Sequence, residues 1–255
     1  MRQRRTTMTS KWVKTVILMK SPEVAPLIPE TSRMTAGHVE RMLHRYGMVY
    51  VKPERGTYGN GVMRVEMERG PFGQGYKYQS GTRIYRFDRF DSLYRSLRQR
   101  AGKRSYLVQR GIPLLKHGGR RFDLRVMVQL SPKGRWETTG LIGRVAAKGK
   151  AVTNYHSGGK PTDIHTLLAP HMSEAREREL VRELKRLGQR IGRFYGKHYP
   201  GFHQLGIDIG LDPALTPWII EVNTNPDPYI FNQLHDKSMY RKVMAYRRFR
   251  LRNGH

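Results

Sequence analysis

The alternation of apolar and polar residues along the chain predicts a mixture of helices and strands. Apolar residues recur at helical spacing in Thr35–Tyr46, which Gly47 ends, and in Ser173–His198, where the opposite side is charged. A basic helix is predicted near Lys237–Arg250. Strands are predicted at Met48–Lys52, Val62–Glu68, Lys77–Gln79, Arg83–Phe87, Tyr106–Gln109, Phe122–Leu130, Trp136–Val145, Leu205–Leu211 and Trp218–Val222. Antiparallel strand pairs mixed with helices indicate the α+β class.

The composition is that of a globular chain. Its 255 residues, 38% of them hydrophobic, suffice for one large domain or two smaller lobes. The absence of cysteine excludes disulfides, thiolate zinc sites and cysteine nucleophiles. We expect no membrane span, because no apolar run reaches about 18 residues. The basic start, Met1–Arg5, is not followed by an apolar segment, so we also expect no secretory leader and a cytoplasmic location.

The charge balance is unusual, because 48 Lys and Arg face only 20 Asp and Glu, which gives a net charge of +28. Such a field attracts nucleic acid, acidic polymers or an anionic surface. An arginine-rich proteome explains it equally well, so charge alone does not define the chemistry. Arginine and aromatic residues mix in residues 83–104, and alternating strand faces explain much of that mixture.

A glycine-rich loop follows the predicted strand that ends in Lys52. A lysine that closes a buried strand is costly unless its ammonium meets an anion. Gly56, Gly59 and Gly61 would let backbone N–H groups approach phosphates closely. The order of these glycines matches neither the dinucleotide fingerprint nor a P-loop. An ordinary hairpin turn is the alternative.

Two predicted neighbouring strands carry acidic and amide side chains on one face. Period two places Asp208 on that face in the first strand, and Glu221 and Asn223 in the second. The opposite faces, predicted to be buried, carry Ile207, Ile209, Leu211, Trp218, Ile220 and Val222. Two carboxylates and an amide oxygen suit Mg²⁺, which keeps waters and phosphates in its shell. A solvated polar face is the alternative.

A further strand alternates core residues with charged ones. Arg121, Asp123 and Arg125 share the face opposite the apolar residues, and Arg144 repeats the pattern on the next strand. Guanidinium groups in such positions suit the charge that develops on a transferred phosphoryl group. Pairing with Asp123 or exposure to solvent are the alternatives for these arginines.

Taken together, these motifs resemble the ATP-grasp superfamily, in particular its YheC/YheD-type, spore-coat-associated branch. The likeness runs from about Lys11 to Tyr240. It rests on Lys11-Trp12, Leu27-Ile28-Pro29-Glu30-Thr31, Val51-Lys52-Pro53 with its glycine loop, Gln109-Arg110-Gly111-Ile112-Pro113-Leu114, Arg121-Phe122-Asp123-Leu124-Arg125, Thr153-Asn154 before Gly158-Gly159, Gly206-Ile207-Asp208 and Glu221-Val222-Asn223. Tubulin–tyrosine ligases share some of these elements, so they are a more distant match.

The resemblance implies ATP and Mg²⁺ as cofactors and a role for each motif. Lys11 and Lys52 would bind the α- and β-phosphates, and the Gly56–Gly61 loop would close over them. Gln109, Arg110, Gly111 and Ile112 would form the interlobe hinge, whose backbone usually bonds the adenine edge. Asp208, Glu221 and Asn223 match the metal-binding set, while Arg125 and Arg144 resemble arginines that face the γ-phosphate or acyl phosphate.

The implied fold is two α+β lobes that sandwich ATP. We expect a basic N-terminal tail in residues 1–10, an N-terminal lobe in 11–110 and a C-terminal lobe in 111–255. Members of the superfamily usually carry a preceding α/β domain that helps to hold the substrate, and the ten residues before Lys11 are too few for it. We therefore expect a partner, a dimer mate or a large acceptor to complete the cleft.

The function that follows is that of a carboxylate–amine ligase that works through an acyl phosphate. The sequence does not identify the carboxylate or the amine substrate, although an anionic peptide or polymer would suit the net charge of +28. Two alternatives stay open: a non-catalytic spore-coat or scaffold protein with the same fold, and a basic nucleic-acid-binding protein. The acidic and amide set with Lys52 favours the ligase, because a scaffold needs no metal site.

Overall fold

The computed structural model describes residues 8–70, 73–153 and 155–252, so most of the predicted N-terminal tail, as well as Asn154, lies outside the described residues. The helices are α1 (Lys11–Met19), α2 (Ala36–Tyr46), α3 (Phe90–Ala101), α4 (Ile164–Leu168), α5 (Glu174–His198) and α6 (Ser238–Arg252). The strands are β1 (Thr31–Arg33), β2 (Met48–Pro53), β3 (Met63–Gly70), β4 (Gly73–Ser80), β5 (Arg83–Phe87), β6 (Tyr106–Arg110), β7 (Lys116–His117), β8 (Arg120–Leu130), β9 (Trp136–Val145), β10 (Lys160–Thr162), β11 (Gln204–Leu211) and β12 (Pro217–Asn223). The predicted α+β class is confirmed.

The strands form two antiparallel sheets, each with its own core. The first sheet has the order β1-β6-β2-β3-β4-β5 and packs against α2 and α3. The second has the order β10-β9-β8-β11-β12, and β7 pairs with β8 beside it. Helix α5 covers one face of the second sheet, and α6 covers part of the other. The uncovered part of that second face looks towards the first sheet.

Capping and close packing explain the length and position of α5. The side chain of Ser173 caps its first turn, and acidic Glu174 lies where the helix dipole favours negative charge. A Cβ added at Gly192 would lie 2.7 Å from the ring of Trp136, and one at Gly188 would lie 2.9 Å from Val128. Only glycine at these positions lets the helix approach the sheet so closely.

The first helix belongs to the core of the second sheet. Ser10 caps α1, and Ile17 and Leu18 join the hydrophobic cluster formed by β8, β11 and α5. The hydroxyl of Tyr195 in α5 donates to the backbone oxygen of Lys14 at 3.0 Å. The sequence analysis expects residues 11–110 to form the N-terminal lobe. In the structure, residues 11–28 pack against the second sheet, and the chain enters the first sheet only after them.

Two local predictions were wrong. The strand predicted at Arg83–Phe87 is confirmed as β5, but alternating strand faces do not explain the rest of residues 83–104. There the chain forms α3, in which Leu93, Leu97 and Ala101 are buried at helical spacing. In β12, Ile219 is buried, whereas Trp218 and Ile220, which were predicted to be buried, are only partly buried. The register with β11 shifts between Asp208 and Ile209, so Ile219 takes the place of Ile220 in the core. This bulge turns the side chain of Ile220 out of the core and into the cavity described below.

None of the helices in the described ranges is long and apolar enough to cross a membrane.

Candidate active site

A cavity of about 680 Å³ lies between the two sheets. Its volume is in the range of small-molecule sites, roughly 300–1,000 Å³. Seven basic and four acidic residues line it: Lys11, Lys14, Lys52, Arg110, Arg125, Arg144 and Arg247, with Asp123, Asp208, Glu221 and Asp227. This excess of positive charge within a partly buried space favours an anionic ligand.

Lys52 lies near the end of β2 and is one of the residues of the first sheet that contact the second. Its ammonium donates to Oε1 of Gln109 at 2.8 Å and to the backbone oxygen of Ile220 at 3.3 Å. Gln109 in turn donates to the hydroxyl of Thr31 at 3.0 Å. Burial lowers the pKa of Lys52 to about 8, although the charge of Glu221 opposes this shift. The ammonium is therefore held in place and lacks a fully compensating anion.

Two lysines one helical turn apart on α1 reach the same carboxylate. Lys14 contacts Oε1 of Glu221 at 3.1 Å, and Lys11 lies 3.7 Å from the same atom. Lys11 also donates to the backbone oxygen of Gly56 at 2.7 Å. Burial lowers the pKa of Lys11, and the attraction of Glu221 offsets only part of that effect. Helix α1 thus brings two cations to the β12 side of the cavity.

The glycine loop between β2 and β3 has the backbone shape that its sequence predicts. Gly56, Gly59 and Gly61 all have positive φ angles, of 141°, 73° and 76°. The intervening Tyr58 also adopts a left-handed conformation, with φ of 62°. Its backbone oxygen accepts a hydrogen bond of 2.5 Å from the hydroxyl of Ser157. The loop therefore spans the cavity mouth and contacts the second lobe.

The strand register places the buried charges of the second sheet side by side. Asp208 of β11 lies opposite Arg125 of β8 on one side and opposite Glu221 of β12 on the other. Nε of Arg125 is 2.6 Å from Oδ1 of Asp208, and Nη2 of Arg144 is 3.1 Å from the same oxygen. Arg144 also makes two hydrogen bonds with Asp123, of 2.8 and 2.6 Å. The pairing of an arginine with Asp123, one of the predicted alternatives, is thus present as the Arg144–Asp123 pair, and both residues line the cavity.

These contacts set the protonation states of the site. Burial by itself would raise the pKa of Asp208, but the charges of Arg125 and Arg144 outweigh burial and lower that pKa to about 2. Burial disfavours the charge on Arg144, yet Asp123 and Asp208 raise its pKa overall. Asp208 and Arg144 are therefore both ionised at neutral pH.

The oxygen set that could hold a divalent metal consists of Asp208, Glu221 and Asn223. Nδ2 of Asn223 is 3.3 Å from Oδ2 of Asp208, so these two side chains are already adjacent. Oε2 of Glu221 has no hydrogen-bond partner among the described residues. Among the described residues there is no cluster of three or more His, Cys, Asp or Glu side chains that could hold a metal. Two carboxylates and one amide would complete the coordination shell of a metal only together with phosphate or water oxygens. That incomplete, hard-oxygen set fits Mg²⁺.

The segment predicted as the hinge connects β6 to the second sheet. The N–H of Arg110 donates to the backbone oxygen of Glu30, and that of Gly111 donates to Met48, so both groups take part in the first sheet. The guanidinium of Arg110 lies over the ring of Trp218, 4.6 Å from its centroid. Ile112 lines the cavity, whereas a Cβ on Gly111 would lie 2.6 Å from the side chain of Met48.

The sequence reasoning missed several residues that line the site. The i, i+3 spacing of Lys11 and Lys14 would have revealed Lys14 had a helix been predicted there. Thr153 donates to Oδ2 of Asp123 at 2.7 Å, and only the fold brings these two residues together. The loop 224–230 and Arg247 of α6 form another wall of the cavity. The sequence predicts the basic helix that carries Arg247, but it gives no sign that this helix borders the site.

Comparisons with known proteins agree with this geometry. The family described as YheC/D-like ATP-grasp matches residues 4–248. The endospore coat-associated protein YheD of Bacillus subtilis (strain 168) is 25% identical over 230 residues, which cover 89% of this chain and 50% of that protein. The chain thus spans about half the length of this curated relative.

Solved structures show the same fold at low sequence identity. An N5-carboxyaminoimidazole synthase from Aspergillus clavatus, in complex with ADP and 5-aminoimidazole ribonucleotide, superposes with a TM-score of 0.52 at 12% identity, covering 94% of this chain and 51% of that one. The D-alanyl-alanine synthetase A of Vibrio cholerae gives a TM-score of 0.50 at 13% identity, covering 93% and 65%. The chain therefore shares its overall fold with these proteins.

Proposed function

The chain belongs to the YheC/D-like ATP-grasp family, and from that premise we propose that it is an ATP- and Mg²⁺-dependent carboxylate–amine ligase. A carboxylate oxygen would attack the γ-phosphate to form an acyl phosphate and ADP, and an amine would then displace phosphate. One observation carries the proposal. Lys52 from the first sheet, and Asp208 and Glu221 from the second, meet at one cavity with the opposite charges that a metal–triphosphate complex needs.

The nucleotide is proposed to lie with its triphosphate beside Lys11 and Lys52. Both ammonium groups are buried and only partly compensated, so phosphate oxygens would stabilise their charged forms. The glycine loop would add backbone N–H groups. Because the N–H groups of Arg110 and Gly111 are used within the sheet, the N–H of Ile112 is the group proposed to meet the adenine edge.

The residues of the second sheet are proposed to act on the transferred phosphoryl group. Arg144 is held rigidly by Asp123, and Arg125 by Asp208, so each guanidinium is oriented before the substrate arrives. Mg²⁺ bound by Asp208, Glu221 and Asn223 would supply neutralisation of charge on the β- and γ-phosphates. No protein nucleophile is required, since the carboxylate attacks phosphorus directly.

Protection of the acyl phosphate from water is assigned to the glycine loop. The hydrogen bond from Ser157 to the backbone oxygen of Tyr58 holds the loop across the cavity mouth. Exclusion of water prevents hydrolysis of a reactive intermediate before the amine attacks. Loss of this contact would therefore uncouple ADP formation from ligation.

A non-catalytic coat role is the second candidate, because the Bacillus subtilis relative carries coat association in its name. The buried charges argue for catalysis. A lysine whose pKa is lowered to about 8 by burial makes folding less favourable at neutral pH, and a scaffold gains nothing from that cost. Such perturbed groups concentrate at functional sites.

ADP release by the purified protein tests the proposal. With Mg²⁺, ATP and pools of amino acids, short peptides and acidic polymers, we expect ADP to form at a rate that depends on both a carboxylate and an amine. Glu221→Gln should lower that rate by at least about 100-fold, as expected when a transition-state contact worth about 3 kcal/mol is lost. Glu174→Gln, on the exposed side of α5, is the matched control and should leave the rate unchanged. Equal rates in the two variants would contradict the site, and no ADP with any pool would favour the coat role.

A further inference from the structure

Arg247 differs from the other basic residues of the cavity. Each of the others has a partner: Lys11 and Lys14 with Glu221, Lys52 with Gln109, Arg110 with Trp218, Arg125 with Asp208 and Arg144 with Asp123. Within the described part of the chain, Arg247 has neither an ion-pair nor a hydrogen-bond partner, although it is half-buried in the cavity wall. A half-buried guanidinium without an acceptor favours an anionic ligand.

Helix α6, which carries Arg247, is held firmly on the second sheet. The buried side chain of Gln129 in β8 donates to the backbone oxygen of Val243 at 3.2 Å. On one flank of the helix, the hydroxyl of Tyr246 donates to Glu137 at 2.7 Å, and Lys242 lies 3.5 Å from the same carboxylate. Arg250, on this flank as well, donates to the backbone oxygen of Ser131 at 2.8 Å. These contacts fix the rotation of α6 and so the direction of Arg247.

The solvent side of α6 carries an exposed row of arginines. At 100° per residue, Arg241, Arg248 and Arg252 lie within about 40° of one another, and Arg247 lies about 100–140° from them around the helix, at the edge of the face that packs on the sheet. All three are exposed, and none has an ion-pair partner among the described residues. From Arg241 to Arg252 the helix extends about 16 Å, which matches about five residues of an extended chain. The row therefore adds positive potential on the solvent side of the helix whose Arg247 lines the cavity.

We propose that Arg247 and the basic row bind the carboxylates of an acidic peptide, one carboxylate of which reaches the site beside Asp208 and Arg125. The inference rests on the proposed function, because that function makes a carboxylate the reacting group. The planar guanidinium fork matches a carboxylate in two hydrogen bonds. A row of such groups selects a chain with several carboxylates over a single small acid.

The test measures binding of a fluorescein-labelled decaglutamate peptide by fluorescence anisotropy at low salt. Arg247→Gln is expected to raise the Kd of the peptide about tenfold, the effect of one lost charge-assisted contact. Lys242→Gln, which removes the same charge from the opposite flank of α6, should change the Kd less than about twofold. The melting temperature of each variant checks folding, and MgATP binding should be equal in all of them.

Three outcomes would overturn the inference: equal loss of peptide binding in both variants, no peptide binding at all, or binding of an oligodeoxythymidine with the same dependence on Arg247. The first would indicate general charge attraction, and the last a nucleic-acid surface. ADP formation with decaglutamate and an amine is measured separately. Peptide binding that depends on Arg247, without ADP from any substrate pool, would refute the ligase proposal and leave the peptide site standing.

Discussion

Replacing Lys52 with methionine is expected to stabilise the nucleotide-free protein and to abolish its response to MgATP. Burial lowers the pKa of Lys52 from 10.5 to about 8, and this difference corresponds to about 3 kcal/mol against the charged form in the folded state. At pH 7 the lysine is protonated in the folded and the unfolded chain, so the whole penalty is present. Methionine has similar length and no charge, and it removes the penalty.

Part of this gain is lost again, because the substitution leaves the amide oxygen of Gln109 without its donor at 2.8 Å and also removes the longer hydrogen bond, of 3.3 Å, to the partly buried backbone oxygen of Ile220. A buried acceptor without a partner costs about 1–2 kcal/mol. The net expectation is a stabilisation of about 1 kcal/mol, which for a chain of this size raises the Tm by about 2–4 °C. The unfolded chain binds more protons between pH 8 and 10.5, so the difference between variant and wild type should shrink as the pH rises through that window.

Differential scanning fluorimetry with and without MgATP is the assay. At 100 times its Kd, MgATP should stabilise the wild type by about 2.7 kcal/mol and should leave the methionine variant unshifted. Lys20→Met, at an exposed position just after α1, is the control and should change neither value. A clearly lower Tm of Lys52→Met without nucleotide would refute the reasoning, because it would mean that attraction to Glu221 outweighs burial. A full MgATP shift in that variant would refute the assignment of Lys52 to the triphosphate.

Two further substitutions probe the buried charges and the glycine loop. Asp208→Asn leaves Arg125 without its carboxylate and should lower the free energy of unfolding in urea by about 3–5 kcal/mol, against no change for the exposed Asp91→Asn. Because the pKa of Asp208 is lowered to about 2, its contribution should persist above pH 4 and disappear as the pH falls through 2; an earlier loss during acid titration would contradict the paired geometry. Gly61→Ala should weaken MgATP binding about tenfold in a titration, since its φ is +76° and a Cβ would lie 2.8 Å from a tyrosine hydroxyl. Gly81→Ala, with φ of +61° but open space around it, should leave MgATP binding unchanged, and a similar loss in both would point to general backbone strain.

Strand periodicity was sufficient to bring the charged groups of the second sheet together. Alternation put Asp208 and Glu221 on one face, and the register places them directly opposite each other. The same reasoning grouped Asp123 with Arg125, and Arg144 indeed lies across from Asp123 on the next strand. Side chains alternate between the two faces of a regular strand, so the sequence indicates which residues share a face, while the register that sets them opposite each other comes from the fold.

The same rule failed in β12, where tertiary packing intervened. A strict alternation buries Ile220, but the bulge beside Asp208 buries Ile219 and leaves Ile220 facing the cavity. A bulge depends on the pairing between two strands, which a single strand's sequence does not specify. The helix α3 was missed because its short apolar spacing is interrupted by arginines that also fit strand faces.

The sequence alone determined the family, the α+β class and many of the charged residues that line the cavity, because motifs and periodicity are local properties of the chain. Only the tertiary structure brought Lys52 to the backbone oxygen of Ile220 and Lys14 to Glu221, which are separated by 168 and 207 residues. It also placed Arg247 of a basic surface helix in the cavity wall. Contacts between residues so far apart depend on how two sheets and their covering helices pack, and packing is a property of the whole core.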